Sequence, residues 1–392
     1  MKYSLFLISV VFLIFFNTKV PAHFGFSGGL NTLSFLPFVV HFAIGVFTKK
    51  IQYGKNAVYV ILLAVVIIIF KWTIRQSYID LVVVLLIIPM LISMSFENLT
   101  AKEFTLLRRI MIILFLAECS FSVVEWITNV PLFYVIEGDV YWLNMGFFRS
   151  TSLLGHPLAN AQVVAVFMTF IAVSNSMKRN TQIFLFFLGY VSLFCFNGRG
   201  ATLVVSFLTF PYFIWKLNKT IEQSKRWIIK LGLFCVCAGL LYMVTQTPLG
   251  GRLLNIEVMD DSSNTRLEVF NFYNYYQSDD DFLWGHPDNY TYMMNKLEID
   301  GVENGIITLI LEYGIIFTVP MLILLFRFQY HKLSQYPKLE KWLLLAVFYI
   351  IGTMNPNLSS PLQWLMWILI YYAFRPELPP SQTVSASNGQ LS

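Results

Sequence analysis

The sequence predicts an all-α polytopic membrane protein, and three observations lead to this fold class. Apolar residues make up 57% of the 392 residues and charged residues only 12%, whereas a soluble domain carries about 25% charged residues. The apolar residues form continuous runs rather than the alternating pattern of a transmembrane β-barrel. One long polar stretch, from Thr247 to Val302, holds ten acidic and three basic side chains. We therefore expect a helical bundle with one large loop outside the membrane.

Twelve apolar runs are candidate membrane spans, since a helix needs about 20 residues to cross the hydrocarbon core, with ~17 as a lower range. They lie near 3–17, 32–48, 57–71, 78–95, 107–127, 157–177, 181–197, 200–216, 227–246, 303–327, 342–355 and 361–374. The last two are short. The seventh and eighth, which flank Asn197-Gly198-Arg199-Gly200, also fit one long kinked element.

These runs divide the chain into four parts. Nine spans occupy 1–246, the long loop occupies 247–302, three spans occupy 303–375, and a polar tail that we expect to be disordered occupies 376–392. The first run, which follows Lys2, also fits a cleavable signal peptide. We favour an uncleaved helix, because polytopic proteins commonly begin with one.

The distribution of Lys and Arg predicts the orientation, because cytoplasmic loops are enriched in these residues. With the N-terminus in the cytoplasm, 19 of the 27 basic residues fall on the cytoplasmic side and eight on the other. Both termini are then cytoplasmic and the acidic loop faces the periplasm or exterior. The excess of basic over acidic residues therefore indicates membrane topology rather than nucleic-acid binding. The sequence has no Gly-rich nucleotide loop and no Cys/His metal spacing, so we expect no metal or other cofactor.

Four arginines lie at membrane boundaries on the predicted outer side: Arg149, Arg199 in its two-glycine turn, Arg252 and Arg266. A guanidinium stays charged and presents a planar fork of donors that fits phosphate oxygens. Arg199 is the strongest candidate, because a charge at membrane depth costs ~2.5 kcal/mol or more and calls for a water-filled cavity or an anion. For Arg149 and Arg252, an interfacial role with the charge reaching out to water is an equal alternative.

Two histidines are further candidates. His286 lies in Leu283-Trp284-Gly285-His286-Pro287-Asp288, within the acidic loop. A neutral imidazole near pH 7 can take a proton from a sugar hydroxyl, so we predict a catalytic or binding role for it. His156 precedes the sixth span in a similar Gly-His-Pro, where we favour a structural role over substrate binding.

Other features have structural interpretations. The aromatic run 269–276 suits a helix lying in the membrane interface. Asp279-Asp280-Asp281 suits a solvated turn, with Ca²⁺ binding a weaker alternative. Glu118 and Glu125, seven residues apart on one helix face, suit pairing with an outward arginine or a proton path. The four cysteines lie in apolar runs, where we expect buried thiols.

Three stretches resemble motifs of the O-antigen polymerase and ligase superfamily, bacterial enzymes that act on undecaprenyl-diphosphate-linked glycans. Residues 149–160, Arg-Ser-Thr-Ser-Leu-Leu-Gly-His-Pro-Leu-Ala-Asn, are similar to its Arg…Gly-x-x-x-Pro-Asn/Ala region before a span. Residues 197–201, Asn-Gly-Arg-Gly-Ala, are similar to its Ser-Arg-Gly-Ala turn, with Asn197 in place of the common Ser. Gly285-His286, Asn304 and Leu311-Glu312-Tyr313-Gly314, which follow Arg266, are similar to its His…Asn…Leu-x-Glu-x-Gly ending.

The resemblance spans about 149–328, and it implies a bacterial inner-membrane enzyme with a C-type membrane glycosyltransferase fold. The implied reaction is a metal-independent, inverting glycosyl transfer. Arg199 and Arg266 would clamp the donor diphosphate, with Arg149 or Arg252 assisting, and His286 would be the base that activates the acceptor hydroxyl. Preorganised arginines fit this task, because the departing diphosphate carries developing charge.

The resemblance also implies the partners. The donor would be an undecaprenyl-diphosphate-linked oligosaccharide in the lipid bilayer, and the acceptor a glycan or the lipid A core. Flippase and chain-length regulator proteins are the further partners.

The leading hypothesis is a repeat-unit polymerase for O-antigen or capsule, which joins one lipid-linked glycan to the next unit. Its alternative is an O-antigen ligase, which moves the finished glycan to the lipid A core; the residues discriminate poorly, because no motif encodes the acceptor. A polysaccharide transporter or flippase is an alternative of a different class. It predicts paired broken helices in two related halves, which the sequence lacks.

Overall fold

The computed structural model describes residues 2–16, 18, 20–23, 35–48, 51, 53–75, 82–133, 148–220, 269–276, 278–297 and 302–376. All regular secondary structure within these residues is helical, which confirms the predicted all-α class. The ninth predicted span (227–246), the first part of the long loop and the tail from 377 lie outside the described residues.

The helices follow the apolar runs of the sequence. They are α1 (Lys2–Phe16), α2 (Leu36–Phe47), α3 (Lys55–Phe70, continued by the π-helical Lys71–Arg75), α4 (Ile88–Phe96, preceded by the π-helical Val83–Ile87), α5 (Ala101–Thr128), α6 (Pro157–Val173), α7 (Arg179–Cys195), α8 (Arg199–Val204, continued by the π-helical Val205–Thr209 and by Phe210–Thr220), α9 (Asp279–Trp284), α10 (Pro287–Leu297), α11 (Gly305–Lys332), α12 (Lys338–Met354) and α13 (Pro361–Phe374). Short helical turns lie at Val20–His23, Phe272–Tyr275, Leu333–Gln335 and Pro356–Ser359.

Four helices within the described residues are long and apolar enough to cross a membrane. They are Lys55–Ile74, Ala101–Thr128, Arg199–Lys219 and Gly305–Gln335. Shorter apolar helices cover Leu5–Phe16, Leu36–Phe47, Val83–Phe96, Pro157–Val173 and Pro361–Phe374. This composition is that of a helical membrane protein. The count of twelve spans stays a prediction.

The centre of the bundle is formed by α6 and α13. Every residue of α6 except Ala159 is buried, and every residue of α13 from Gln363 onward is buried. Because buried residues lie on every face of both helices, both are surrounded by protein rather than by lipid. Ring contacts join the two, with Phe170 and Trp367 centroids 6.4 Å apart.

The seventh and eighth predicted spans form an antiparallel hairpin. Phe186 on α7 stacks on Phe213 on α8 with ring centroids 4.2 Å apart, and Tyr190 hydrogen-bonds Ser206 nearer the turn. Asn197 turns the chain with a positive φ of 51°. The alternative of one long kinked element is therefore wrong.

Residues that the charge pattern assigns to the cytoplasm meet at one end of the bundle, which we call the inner end. Here Lys332 Nζ lies 2.5 Å from Glu97 Oε2, Arg108 Nε donates to Ala373 O over 3.0 Å, and Lys216 Nζ donates to Val173 O over 2.6 Å. Burial raises the pKa of Glu97, but the Lys332 charge and the hydrogen bonds from Lys332 and Tyr372 outweigh it and lower the pKa below its ordinary value. The opposite end, the outer end, holds residues 128–133, 148–156, 196–200, 302–305 and 354–361.

Candidate functional site

Arg149 and Arg199 come together at one turn of the outer end. Arg149 is 6% exposed, and its Nε donates to the carbonyl oxygen of Phe196 over 3.3 Å. Phe196 ends α7, and Arg199 begins α8 three residues later. Gly198 between them is packed so closely that a Cβ there would lie 2.7 Å from Ala161 Cβ on α6. We call 196–200 with the Arg149 side chain the arginine turn.

A buried carboxylate on α5 fixes the segment that carries Arg149. Glu125 is fully buried and accepts backbone N–H bonds from Leu132 (2.8 Å), Thr151 (2.7 Å) and Ser152 (2.9 Å). Glu118 lies seven residues earlier on the same face of the helix and accepts the N–H of Leu153 over 3.2 Å.

The described partners of both carboxylates are thus backbone amides. Both carboxylates hold residues 148–154 against α5 instead of pairing with an arginine, although Glu118 Oε1 accepts no hydrogen bond within the described residues. The proton path stays a prediction.

His156 occupies the position before the first turn of α6. Its carbonyl oxygen accepts the N–H of Asn160 over 3.0 Å, and its side chain does not cap the helix. The ring is half-buried. His156 therefore contributes to the start of the helix through its backbone. This position agrees with the structural role favoured by the sequence.

His286 lies in a segment that is locked onto α11 by two glycines. Gly285 has φ 75° and ψ 154°, and Gly314, at a kink in α11, has φ 69° and ψ 167°. A Cβ on Gly285 would lie 2.3 Å from Gly314 N, and one on Gly314 would lie 2.2 Å from Leu283 O. The His286 N–H donates to Leu311 O over 3.1 Å. We call residues 283–289 the histidine segment.

The imidazole of His286 has a defined hydrogen bond at one nitrogen. Its Nδ1 accepts the backbone N–H of Asp288 over 3.2 Å, and lies 3.6 Å from the Asp288 carboxylate. A neutral ring that accepts at Nδ1 carries its proton at Nε2. In this conformation, the half-buried ring therefore presents an N–H donor to an approaching group.

Behind the histidine segment lie two charged side chains, the buried Lys71 and the half-buried Glu312. Lys71 is 5% exposed and its Nζ lies 4.3 Å from the centre of the Tyr313 ring. The Glu312 carboxylate attracts the Lys71 ammonium electrostatically. The preceding residue, Phe70, stacks on Trp284 with centroids 4.8 Å apart, so α3 touches the histidine segment directly.

A small separate core supports the described part of the long loop. Val269, Met293, Val302, Ile307 and Leu311 form a buried cluster against which the half-buried Phe272 packs. The aromatic run thus forms a 3₁₀ turn on this core rather than the predicted interfacial helix, although Phe270 and Tyr273 remain exposed.

The acidic run Asp279-Asp280-Asp281 is also helical. It begins α9, where Ser278 Oγ accepts the N–H of Asp281 over 3.3 Å. The prediction of a solvated turn was wrong because Ser278 caps this stretch as a helix start. No group of His, Cys, Asp and Glu within the described residues could hold a metal ion.

The arginine turn and the histidine segment are linked through the outer end of α12. A Cβ on Gly200 would lie 3.0 Å from Met354 Sδ, and one on Gly305 would lie 2.6 Å from Gly352 O. Gly305 begins α11, and Leu311 follows six residues later, about 9 Å along a helix that rises 1.5 Å per residue. The two parts therefore belong to one end of the bundle.

Arg252 and Arg266 lie outside the described residues, so their predicted roles stay predictions. Lys71 and Glu312 were not among the predicted site residues. Lys71 is one of the eight basic residues on the predicted outer side, and its place at the end of an apolar run was the signal that could have found it.

A cavity of about 250 Å³ lies at the inner end, lined by residues that include Asn56, Glu97, His331 and Lys332. It is remote from the arginine turn and the histidine segment. We place the candidate site at the outer end because the arginine turn and the histidine segment, which carry the motif residues, both lie there.

Comparisons of the chain with family models, with curated proteins and with solved structures gave no match.

Proposed function

We propose that this protein is a membrane glycosyltransferase that uses an undecaprenyl-diphosphate-linked oligosaccharide as donor. The observation that carries the proposal is that Arg149 Nε donates to Phe196 O over 3.3 Å, in the same turn from which Arg199 starts α8 three residues later. Two arginines on one turn at the end of a membrane bundle suit a multiply charged anion. A diphosphate anchored in the bilayer by a polyprenyl chain is such an anion.

The proposed reaction needs the charge on the departing diphosphate to be held. Arg149, which is buried and bonded to Phe196 O, and Arg199, at the start of α8, would supply these donors, and donors already in position cost little reorganisation when the glycosidic bond breaks. Arg266 and Arg252 are the further candidates from the long loop. His286, with its proton at Nε2, is suited to donate a hydrogen bond to a phosphate or sugar oxygen.

We favour the repeat-unit polymerase over the ligase. In both, the donor sugar is transferred from the diphosphate, and only the acceptor differs. A flippase would need a path for the glycan through the bundle, and Glu125, one of the two carboxylates in the bundle, binds backbone amides.

Replacing Arg199 with Ala tests the proposal. We expect loss of extended glycan in a deletion strain complemented with the variant, because one fixed electrostatic donor is worth about 10²–10³ in rate. Arg199→Lys should recover part of the activity, since Lys keeps the charge but not the planar fork. The measurement is the ladder of glycan lengths on a gel, normalised to the amount of protein in the membrane.

Arg109→Ala is the matched control, because Arg109 is exposed near the inner end of α5. It should leave the ladder unchanged. A normal ladder in Arg199→Ala would remove the proposed function. In the deletion strain itself, a single repeat on the lipid A core would identify a polymerase, and a bare core with accumulated lipid-linked polymer would identify a ligase.

A further inference from the structure

Two carboxylates, the buried Glu125 and the half-buried Glu312, differ in how their oxygens are satisfied. Glu125 accepts three backbone N–H bonds of 2.7 to 2.9 Å, as a structural carboxylate should. Glu312 Oε2 is buried and accepts no hydrogen bond within the described residues. A buried carboxylate oxygen without a donor is costly, and such groups concentrate at functional sites.

Glu312 lies at the centre of the histidine segment's contact with α11. Leu311 O, one residue before it, accepts both the His286 N–H (3.1 Å) and Asn289 Nδ2 (3.3 Å). The Glu312 carboxylate also acts electrostatically on Tyr290, one helical turn after His286. Glu312 as a whole is half-buried, although its Oε2 atom is buried. Part of the residue is therefore still exposed.

Lys71 is the cation whose charge acts on this carboxylate. It comes from a different helix, α3, and is held over the Tyr313 ring at 4.3 Å. Phe70 stacks on Trp284, which fixes the end of α3 against the histidine segment. A charge that is 5% exposed is retained in an apolar helix only with a compensating partner.

The reaction needs a proton acceptor, and His286 does not offer one in this conformation. Its Nδ1 lone pair is taken by the Asp288 N–H, which leaves Nε2 as a donor. The acceptor hydroxyl must nevertheless lose its proton as it attacks the anomeric carbon. A carboxylate oxygen that accepts no hydrogen bond within the described part of the chain, such as Glu312 Oε2, is suited to receive it.

We propose that Glu312 is the proton acceptor of the transfer, with Lys71 as its fixed counter-charge. This inference rests on the proposed function. The acceptor oxygen forms a bond to the anomeric carbon, and the bond between that carbon and the diphosphate oxygen breaks. The electron pair of the broken bond leaves with the diphosphate, and the hydroxyl proton passes to Glu312.

The test uses purified full-length protein added to membranes of the deletion strain, which contain its accumulated lipid-linked glycans. Glu312→Gln should lower the initial rate of glycan extension by about 10²–10⁴-fold, the range for a lost general base. Lys71→Met should lower it at least tenfold. The double variant Lys71→Met/Glu312→Gln should stay as inactive as Glu312→Gln, because removing both charges restores neutrality but not a base.

Chemical rescue separates a proton acceptor from a packing residue. Sodium formate should restore part of the rate of Glu312→Ala, because the small carboxylate can enter the vacated space. Glu125→Ala is the matched control: formate should restore nothing, since Glu125 holds backbone amides. Hydrogen exchange of the peptide containing the His286 amide checks that Glu312→Gln leaves the histidine segment folded.

If the double variant recovered toward the wild-type rate, Lys71 and Glu312 would have a structural role only. That result would overturn the assignment of Glu312 as proton acceptor. So would a Glu312→Gln rate above a tenth of wild type. Either result together with an inactive Arg199→Ala would overturn the role of Glu312 alone. An active Arg199→Ala in the same membranes would instead overturn glycosyl transfer itself.

Discussion

Gly285 and Gly314 illustrate how single residues determine the position of His286. Both have φ and ψ values in a region open essentially to glycine alone. Their backbones approach so closely that a Cβ on either would overlap the other chain segment. The sequence placed both glycines in motifs, but not in contact, because residues 29 positions apart meet only through tertiary packing.

Gly285→Ala should therefore separate the histidine segment from α11. The strained backbone alone costs ~1–3 kcal/mol, and the overlap with Gly314 N adds to it. We expect faster hydrogen exchange of the His286 amide and loss of glycan extension. Gly54→Ala is the control, since a Cβ on Gly54 meets nothing within 4 Å and its φ is −68°. Unchanged exchange in Gly285→Ala would contradict the interlocked geometry.

At the scale of elements, the sequence predicted the positions of the helices well. It did not predict the contacts that hold the segments between the helices. Continuous apolar runs determined α5, α6, α7 and α11, because burying a run that long requires internally paired backbone. The partner of Glu125 was mispredicted as an arginine. The amides of Thr151 and Ser152 reach Glu125 only because the segment 148–156 folds back on α5. No local sequence pattern predicts that this segment folds back.

Glu125→Gln should loosen this segment and the Arg149 side chain with it. The amide keeps one acceptor oxygen but turns an NH₂ group toward backbone donors, which costs ~1–3 kcal/mol for each group left unsatisfied. We expect a lower Tm in detergent and less glycan extension. Glu103→Gln on the same helix is the control, because Gln can replace Glu in the capping box with Thr100. An equal drop in Tm for both variants would show that Glu125 has no special structural role.

At the scale of the whole molecule, the two ends of the bundle separate the residues as the charge pattern predicts. Lys332, Arg108 and Lys216, all assigned to the cytoplasm, bind partners at the inner end. Arg149 and Arg199, both assigned to the outside, meet at the other. Local charge counts could predict this grouping because alternate loops of an antiparallel bundle share one end. They could not predict the small core under the loop, whose apolar residues come from four separate stretches.

Thiol labelling tests the orientation of these ends. Tyr273, in the loop, is 62% exposed, and Leu339, at the start of α12, is 59% exposed. In intact cells, a membrane-impermeant maleimide should label Tyr273→Cys, whereas Leu339→Cys should react only after permeabilisation, because the predicted outer end alone faces the reagent. The unsubstituted protein is the control for background from native thiols, of which Cys119 and Cys195 are buried. The reverse labelling pattern would put the arginine turn and the histidine segment in the cytoplasm, away from any glycan that is assembled outside, and would contradict both the orientation and the proposed function.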